Sequence, residues 1–363
     1  MRRYSRHLLI PEVGLAGQER LSRARVLCVG AGGLGSPVLQ YLAAAGVGRI
    51  GIVDDDVVDE TNLQRQVVFA TADVGRRKVD VAAERIAALN PHVAVDAVPV
   101  ALDAHNARDL VRLYDVVVDA TDTFASRYLI NDACRLEGKP DVYGSIFRFD
   151  GQVSVFAPGG PCYRCLFPEA PPVGSVPSCA EGGVLGALAG IVGTWQAGEA
   201  LKLLLHIGKP LIGRLLLIDS LDAHVREFAV EPDPDCALCG ATPRITEVRE
   251  LERDEVRLGS ITEIEADMLD AFLMSTPHAM VLDVREPHEA VFGTLAGSMH
   301  LPASQLQGRL HELDGTRTYV VACRVGQASR WAAQRLHDAG FKVVHLRDGL
   351  LAYAAQSELF EVL

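Results

Sequence analysis

The sequence predicts an α/β protein, in which a mostly parallel sheet with helices on both faces is followed by a second, smaller α/β domain. Two observations carry that expectation. Between residues 24 and 119, short apolar runs of strand length alternate with longer segments of helical periodicity. Near Pro243 the chain turns charge-dense over residues 244–257, and a second alternation begins behind it. Domains are therefore expected at 1–243 and 258–363, with 244–257 as a charged linker.

Residues 24–30 form an apolar run that ends in glycine. A helix is expected over 36–45, a strand over 49–54, and a helix over about 77–89. Strands follow at 93–100 and 115–119, with a helix at about 104–113 between them. Beyond Gly144 the pattern changes: 152–156 reads as part of an antiparallel stretch, and a Pro-rich loop over 168–177 leads into a long apolar segment, 182–206. In the second domain the expected strands are 279–284, 318–323 and 342–346, with helices at 329–339 and around 264–274. There is no internal repeat and no low-complexity tract.

Composition narrows the functional classes. At 363 residues, each domain is long enough to bury a core of its own. Hydrophobic residues at 49% and charged residues at 23% are ordinary for a globular chain. A formal net charge of −12 argues against nucleic-acid binding and against attachment to an anionic membrane. The apolar segment 182–206 is interrupted at helical spacing by Gln196, Glu199 and Lys202, so a buried helix is expected rather than a membrane span. The basic start, Met1-Arg2-Arg3-Tyr4-Ser5-Arg6, is followed by no apolar signal core, and the expected location is cytoplasmic.

Gly30-Ala31-Gly32-Gly33-Leu34-Gly35 follows a strand and opens a helix, the context of a Rossmann-like phosphate-binding turn. Backbone can approach phosphates closely there, and the helix N-terminus offers free N–H groups. Asp54 ends the next strand, where a carboxylate accepts from ribose hydroxyls. Taken alone, these features fit a dinucleotide enzyme equally well. Asn62, Gln64, Arg65 and Lys78 add polar and cationic groups where a triphosphate would extend, and Asp122 follows a later strand at a place suited to holding Mg²⁺. The cluster favours ATP over NAD, because hydride transfer does not require it.

Eight cysteines in a reducing compartment are read as metal ligands, nucleophiles or packed thiols before disulfides. Cys162/Cys165 and Cys236/Cys239 form two Cys-x-x-Cys knuckles, which together can close a four-thiolate Zn²⁺ site; a redox pair and unligated thiols are the alternatives. Cys28 lies in an apolar strand and Cys134 in a helix, and both read as inert core thiols. Cys179 precedes a helix, where a thiol pKa can be lowered, although a bystander thiol is the plain alternative. Cys323 ends a strand, and the loop behind it runs into a helix whose N–H groups can stabilise a thiolate or persulfide.

Ser5-Arg6, the glycine-rich turn, Thr61-Asn62-Leu63-Gln64-Arg65-Gln66, Lys78 and Thr121-Asp122 resemble the MoeB/ThiF family, relatives of ubiquitin-activating enzymes, over about residues 2–242. Asp283-Val284-Arg285-Glu286-Pro287-His288-Glu289, Gly297–Pro302, Cys323 with its loop, and Asp348–Tyr353 are similar to a rhodanese domain over about 258–363. The first resemblance implies Mg-ATP-dependent adenylation of the C-terminal Gly-Gly of a small ubiquitin-like sulfur carrier of MoaD/ThiS type. It assigns Gly33, Asp54, Asn62, Arg65 and Lys78 to ATP and Asp122 to metal binding and catalysis. It also implies a homodimer, with Arg6 reaching the neighbouring subunit's nucleotide. Gly30, Gly32, Gly35, Gln64 and Thr123 complete the expected nucleotide surroundings, and the cysteine spacing also occurs in that family, which favours zinc. Thr123 departs from the family's usual Asn, which loses an amide contact.

By the second resemblance Cys323 carries a sulfane sulfur, supplied by a cysteine desulfurase or thiosulfate. Cys179 matches a loop cysteine proposed as the acceptor of an acyl or persulfide intermediate. A phosphatase of the same fold would place Arg six positions after Cys, but position 329 is Ser and Arg is at 330. The rival functions are an NAD-dependent oxidoreductase with a regulatory rhodanese tail and a non-catalytic scaffold for a ubiquitin-like protein.

Overall fold

In the computed structural model, residues 2–171, 183–251, 261–291 and 293–356 are described. Cys179, part of the Pro-rich loop and part of the charged segment lie outside them. The chain forms two compact units, the first ending at Leu251.

The first unit is built on an eight-stranded sheet. Its strands are β1 (Arg25–Val29), β2 (Arg49–Val53), β3 (Ala94–Val98), β4 (Val116–Asp119), β5 (Asp141–Phe147), β6 (Asp150–Phe156), β7 (Arg214–Asp219) and β8 (His224–Ala229). The order is β3-β2-β1-β4-β5-β6-β7-β8. Strands β1 to β5 pair in parallel, and β5 through β8 continue as antiparallel neighbours. Val26, Leu27, Cys28 and Val29 are all buried, so both faces of β1 are covered, as a parallel sheet requires. β8 differs, since all six of its residues are exposed at the sheet edge.

The longer helices are α1 (Gly14–Arg23), α2 (Gly35–Ala45), α3 (Lys78–Leu89), α4 (Ala107–Arg112), α5 (Phe124–Glu137) and α6 (Gly186–Leu205). Leu27 and Val29 pack with Ala107 and Val111 of α4 and with Leu129, Ile130 and Ala133 of α5. The apolar segment is α6, and Gln196 explains its polar interruption. Its Nε2 donates to the carbonyls of Asp119 (2.6 Å) and Val142 (3.0 Å), anchoring the helix on adjacent strands. Glu199 is also satisfied, accepting from the Leu211 N–H at 2.8 Å and pairing with Lys202 at 2.5 Å. Among the described residues no helix is long and apolar enough to cross a membrane.

The charged segment is corrected in part. Residues 244–251 pack on the first unit: Val248 joins the core beneath α4 and α5, and Glu250 Oε1 accepts from the Ala104 N–H at 2.8 Å. This stretch is therefore no free linker, despite its charge.

The second unit holds a parallel five-stranded sheet of β9 (Thr262–Ile264), β10 (Ala279–Asp283), β11 (Met299–His300), β12 (Thr318–Ala322) and β13 (Lys342–Leu346), in the order β11-β10-β12-β13-β9. Its longer helices are α7 (Leu269–Ser275), α8 (Gln327–Asp338) and α9 (Gly349–Gln356). The helix expected from about residue 264 is corrected here. Ile264 belongs to β9, which pairs with β13, and α7 begins at Leu269.

Candidate functional site

In the first unit, β1 lies between β2 and β4, so the chain leaves β1 toward one side of the sheet and returns on the other. Such a reversal opens a crevice at the carboxyl ends of the strands, where open α/β sheets bind ligands. The glycine turn and the Asp119–Asp122 loop flank it. Gly30 has φ +93°, and a Cβ there would stand 2.7 Å from the Ala120 carbonyl oxygen, so only glycine fits. α2 starts directly behind the turn, with Gly35 as its first residue.

The polar loop closes on the same turn. A Cβ built on Gly33 would lie 3.5 Å from Arg65 Cγ, and one on Gly32 would lie 3.6 Å from Gln66 Nε2. Asn62 belongs to a short 3-10 turn, Glu60–Asn62, capped by Asp59, which accepts from the Thr61 N–H at 2.8 Å. Gln64 packs against Gly186 at the start of α6, where its carbonyl would sit 2.2 Å from an added Cβ. Gly33, Arg65 and the α6 residue Ala189 thus meet above the β1 turn.

Asp54 follows β2 and accepts from the Ala31 N–H (2.7 Å) and the Asp56 N–H (2.9 Å), which locks it against the glycine turn. Burial raises its pKa, opposed by the Lys78 charge and these two N–H groups. Lys78 opens α3, is only 5% exposed, and its Nζ pairs with Asp56 Oδ2 at 2.7 Å. Arg6, in the one-turn helix Ser5–Leu8, is exposed.

Asp122 is exposed beyond β4. Asp119, the last residue of β4 and directly after Val118, is buried and differs in kind. One oxygen accepts from the Thr121 N–H (2.9 Å) and hydroxyl (2.6 Å), and the other has no hydrogen-bond partner among the described residues. Thr123 caps α5: its Oγ1 accepts from the Ser126 N–H at 3.1 Å. A threonine there supplies the helix cap without any contact to a ligand.

The two knuckles converge. Sγ–Sγ distances are 3.9 Å for Cys162–Cys165, 3.6 Å for Cys162–Cys236 and 3.3 Å for Cys165–Cys239. Four sulfurs about 2.3 Å from a tetrahedral ion stand roughly 3.8 Å apart, so the donor set fits zinc. Burial pushes the Cys239 thiol up to about 12, and a cation bound there would reverse this by taking the thiolate. α5 holds the first knuckle in place. Asn131 Oδ1 accepts from the Tyr163 N–H at 2.8 Å, and Asp132 grips Arg164 through two bonds of 2.7 and 2.8 Å. Cys28 and Cys134 are buried core thiols, and Cys179 lies outside the described residues.

In the second unit Cys323 follows β12 and is 2% exposed. The Gly326 N–H donates to its Sγ at 3.1 Å. Gly326 has φ +86°, and a Cβ there would strike the Arg347 carbonyl at 1.8 Å, so the loop requires glycine. The Leu350 and Leu351 N–H groups at the start of α9 donate to the carbonyls of Cys323 and Arg324, which fixes the loop from its other side. The Asp283-Val284-Arg285 motif makes a buried ion pair of its own, with Arg285 Nη2 2.6 Å from Asp283 Oδ2.

This combination defines a doubly wound α/β unit with a four-cysteine cluster, joined to a small parallel α/β unit that carries a cysteine loop. Residues 4–238 match the model of the ThiF family, and residues 265–356 match that of the rhodanese-like domain. The chain belongs to the ThiF family, with a rhodanese domain behind it. It is 46% identical to the probable adenylyltransferase/sulfurtransferase MoeZ of Mycobacterium tuberculosis, across 98% of this chain and 93% of that protein. It is 56% identical to the sulfur carrier protein adenylyltransferase of Thermus thermophilus, across 69% of this chain and 94% of that one. Among solved structures, E. coli MccB with ATP superposes with a TM-score of 0.55 at 23% identity, over 66% of this chain and 75% of that one, a likeness of fold.

Proposed function

We propose that the chain is a sulfur-carrier adenylyltransferase and sulfurtransferase, which activates the C-terminal Gly-Gly carboxylate of a small ubiquitin-like carrier with ATP and converts it to a thiocarboxylate. The observation that carries this reading is the meeting of the glycine turn, Arg65 and the Asp119–Asp122 loop at the β1/β4 crevice. The names of the two relatives, one of which specifies a sulfur carrier protein, support it.

The carrier carboxylate attacks the α-phosphorus of ATP, and pyrophosphate leaves. Lys78 and Arg65, with Arg6 from a second copy in a homodimer, offset charge building on the phosphates. Asp54 orients the ribose, while the glycine turn and Asn62 hold the phosphates and nucleoside. Asp122 would hold Mg²⁺, which would supply charge neutralisation of the triphosphate. Cys162, Cys165, Cys236 and Cys239 would hold a structural zinc ion, leaving no open position for water.

Cys323 accepts a sulfane sulfur, releasing sulfite when thiosulfate is the donor; a cysteine desulfurase is the other candidate source. The terminal sulfur attacks the activated carbonyl, and AMP leaves. Attack of a second thiolate, for which Cys179 is the candidate, on Cys323 Sγ then frees the thiocarboxylate and leaves a disulfide. Carrier-dependent ATP–pyrophosphate exchange tests the first half, and exchange that survives Asp122→Ala sinks it. Thiocarboxylate formation from thiosulfate tests the second half, and undiminished product with Cys323→Ala sinks that.

A further inference from the structure

Behind the Cys323 loop lies a buried polar chain. Glu263 of β9 and His345 of β13 are register partners in the parallel sheet, and His345 is fully buried. Nδ1 of His345 faces Glu263 Oε1 at 2.8 Å, and Nε2 faces the Gly326 carbonyl at 2.9 Å and Ser329 Oγ at 3.1 Å. Arg330 Nη2 donates to the same Glu263 oxygen at 2.7 Å. Gly326 is also the residue whose N–H donates to Cys323 Sγ.

We propose that Glu263 and His345 are positioning residues of the sulfur site. Steadied by Arg330, they brace Gly326 from behind, so that its N–H stays on Cys323 Sγ and favours the thiolate. This rests on the reading of Cys323 as the sulfur acceptor.

The chemistry of the ring supports a brace rather than inert packing. Both imidazole nitrogens face acceptors, the Glu263 carboxylate on one side and the Gly326 carbonyl on the other. A neutral ring has a single N–H and satisfies one of them, whereas the imidazolium satisfies both. Burial pulls the ring below its ordinary range, while Glu263 and the Gly326 carbonyl pull the other way and Arg330 assists burial. Among the described residues Ser329 is the other side chain bonded to the ring, and its Oγ can share the Nε2–H that is donated to the Gly326 carbonyl. The arrangement ties β9 and β13 to the Gly326 carbonyl, and the N–H of that same residue faces Cys323 Sγ.

The test uses the full-length chain with Glu263→Gln, His345→Gln and His345→Leu. Iodoacetamide labelling of the Cys323 peptide, followed by mass spectrometry across pH, reads the thiol midpoint directly. A weakened N–H contact is expected to raise that midpoint by about 0.5 to 1 unit, which slows labelling at pH 7 about three- to tenfold. His345→Gln, which keeps a polar contact, should shift it less than His345→Leu. With thiosulfate and cyanide, kcat should fall while KM for thiosulfate stays within about twofold. Unmoved midpoints in Glu263→Gln and His345→Gln chains of native circular dichroism overturn the proposal, even if His345→Leu fails to fold. Wild-type Cys323 that takes up no sulfur from thiosulfate overturns the acceptor reading instead, and the labelling midpoints still decide the brace.

Discussion

Lys78, almost wholly buried at the start of α3, directs its Nζ 2.7 Å from the Oδ2 of Asp56, a carboxylate that is itself exposed. The ammonium is thus held beside the nucleotide crevice by a partner that solvent can reach. A triphosphate can take that partner's place, because the exposed carboxylate loses little on returning to water. Lys78→Met is expected to lower carrier-dependent ATP–pyrophosphate exchange by about 10²- to 10³-fold. Asp56→Asn leaves the ammonium in place, with Asp54 still nearby, and should cost less than about tenfold. Measuring both exchange rates under saturating ATP checks the pair, and equal losses would contradict this ordering.

Asp122 and Thr123 are adjacent but should fail differently. Thr123 caps α5, so Thr123→Ala is expected to cost about 1 kcal/mol and to lower Tm by roughly 2–4 °C. Thr123→Asn keeps a capping oxygen and should restore the melt. Asp122 is exposed and, among the described residues, makes no capping bond of this kind, so Asp122→Ala should abolish exchange without moving Tm. Differential scanning calorimetry beside the exchange assay separates the two roles.

The four sulfurs already stand at spacings that fit a tetrahedral ion. The purified chain should therefore carry about one zinc per polypeptide by elemental mass spectrometry. Cys165→Ser should lose that metal and lower Tm by at least ~5 °C, since metal affinity here adds to folding free energy. A metal-free chain with unchanged melting would refute a structural zinc.

The parts of the fold legible in the sequence were those whose signal is local. The β1 run, the glycine turn and Lys78 could be read from a few neighbouring residues, because strand period, φ requirements and helix starts are short-range properties. α5 was read only as a helix around Cys134, and its extent was not given, for the opposite reason. Tyr128, Asn131 and Asp132 break its apolar stripe, yet all three are buried, since Asn131 and Asp132 bind a knuckle about 30 residues further on. Periodicity scores such positions as solvent-facing. The charge of 244–251 misled in the same way, because Val248 is buried and Glu250 is spent on the Ala104 N–H. Ile264, the last residue of β9, was read as the start of a helix because three residues carry no alternation, and the strand's identity comes from pairing with β13 some 80 positions away. The brace of Glu263 and His345 was invisible for that reason too. A polar pair split between distant strands leaves no spacing to recognise.

Asp119 and Asp141 supply a prediction about pH. Both are buried, and burial raises both above the ordinary carboxylate range; Asp119 raises Asp141 further, while Arg127 opposes the rise at Asp119. Asp119 Oδ2 and Asp141 Oδ1 have no hydrogen-bond partner among the described residues. The folded protein therefore holds these protons to higher pH than the unfolded chain does. The stabilisation this brings is fully present below the unfolded carboxylate pKa, about 4, and is lost as pH rises through the raised folded values. Ionising the pair at neutral pH thus works against the fold. Asp141→Asn keeps the shape of the side chain, removes one of the two charges and relieves the other. The variant should melt above wild type by roughly 2–4 °C at pH 8, on a gain of about 1 kcal/mol. That gain should shrink steadily toward pH 5, because wild type recovers its protons there while asparagine has none to recover. Taking the difference between variant and wild type at each pH cancels the acid sensitivity of the other carboxylates. A difference that stays constant between pH 5 and 8 would show that Asp141 is already neutral, or already paired, throughout that range.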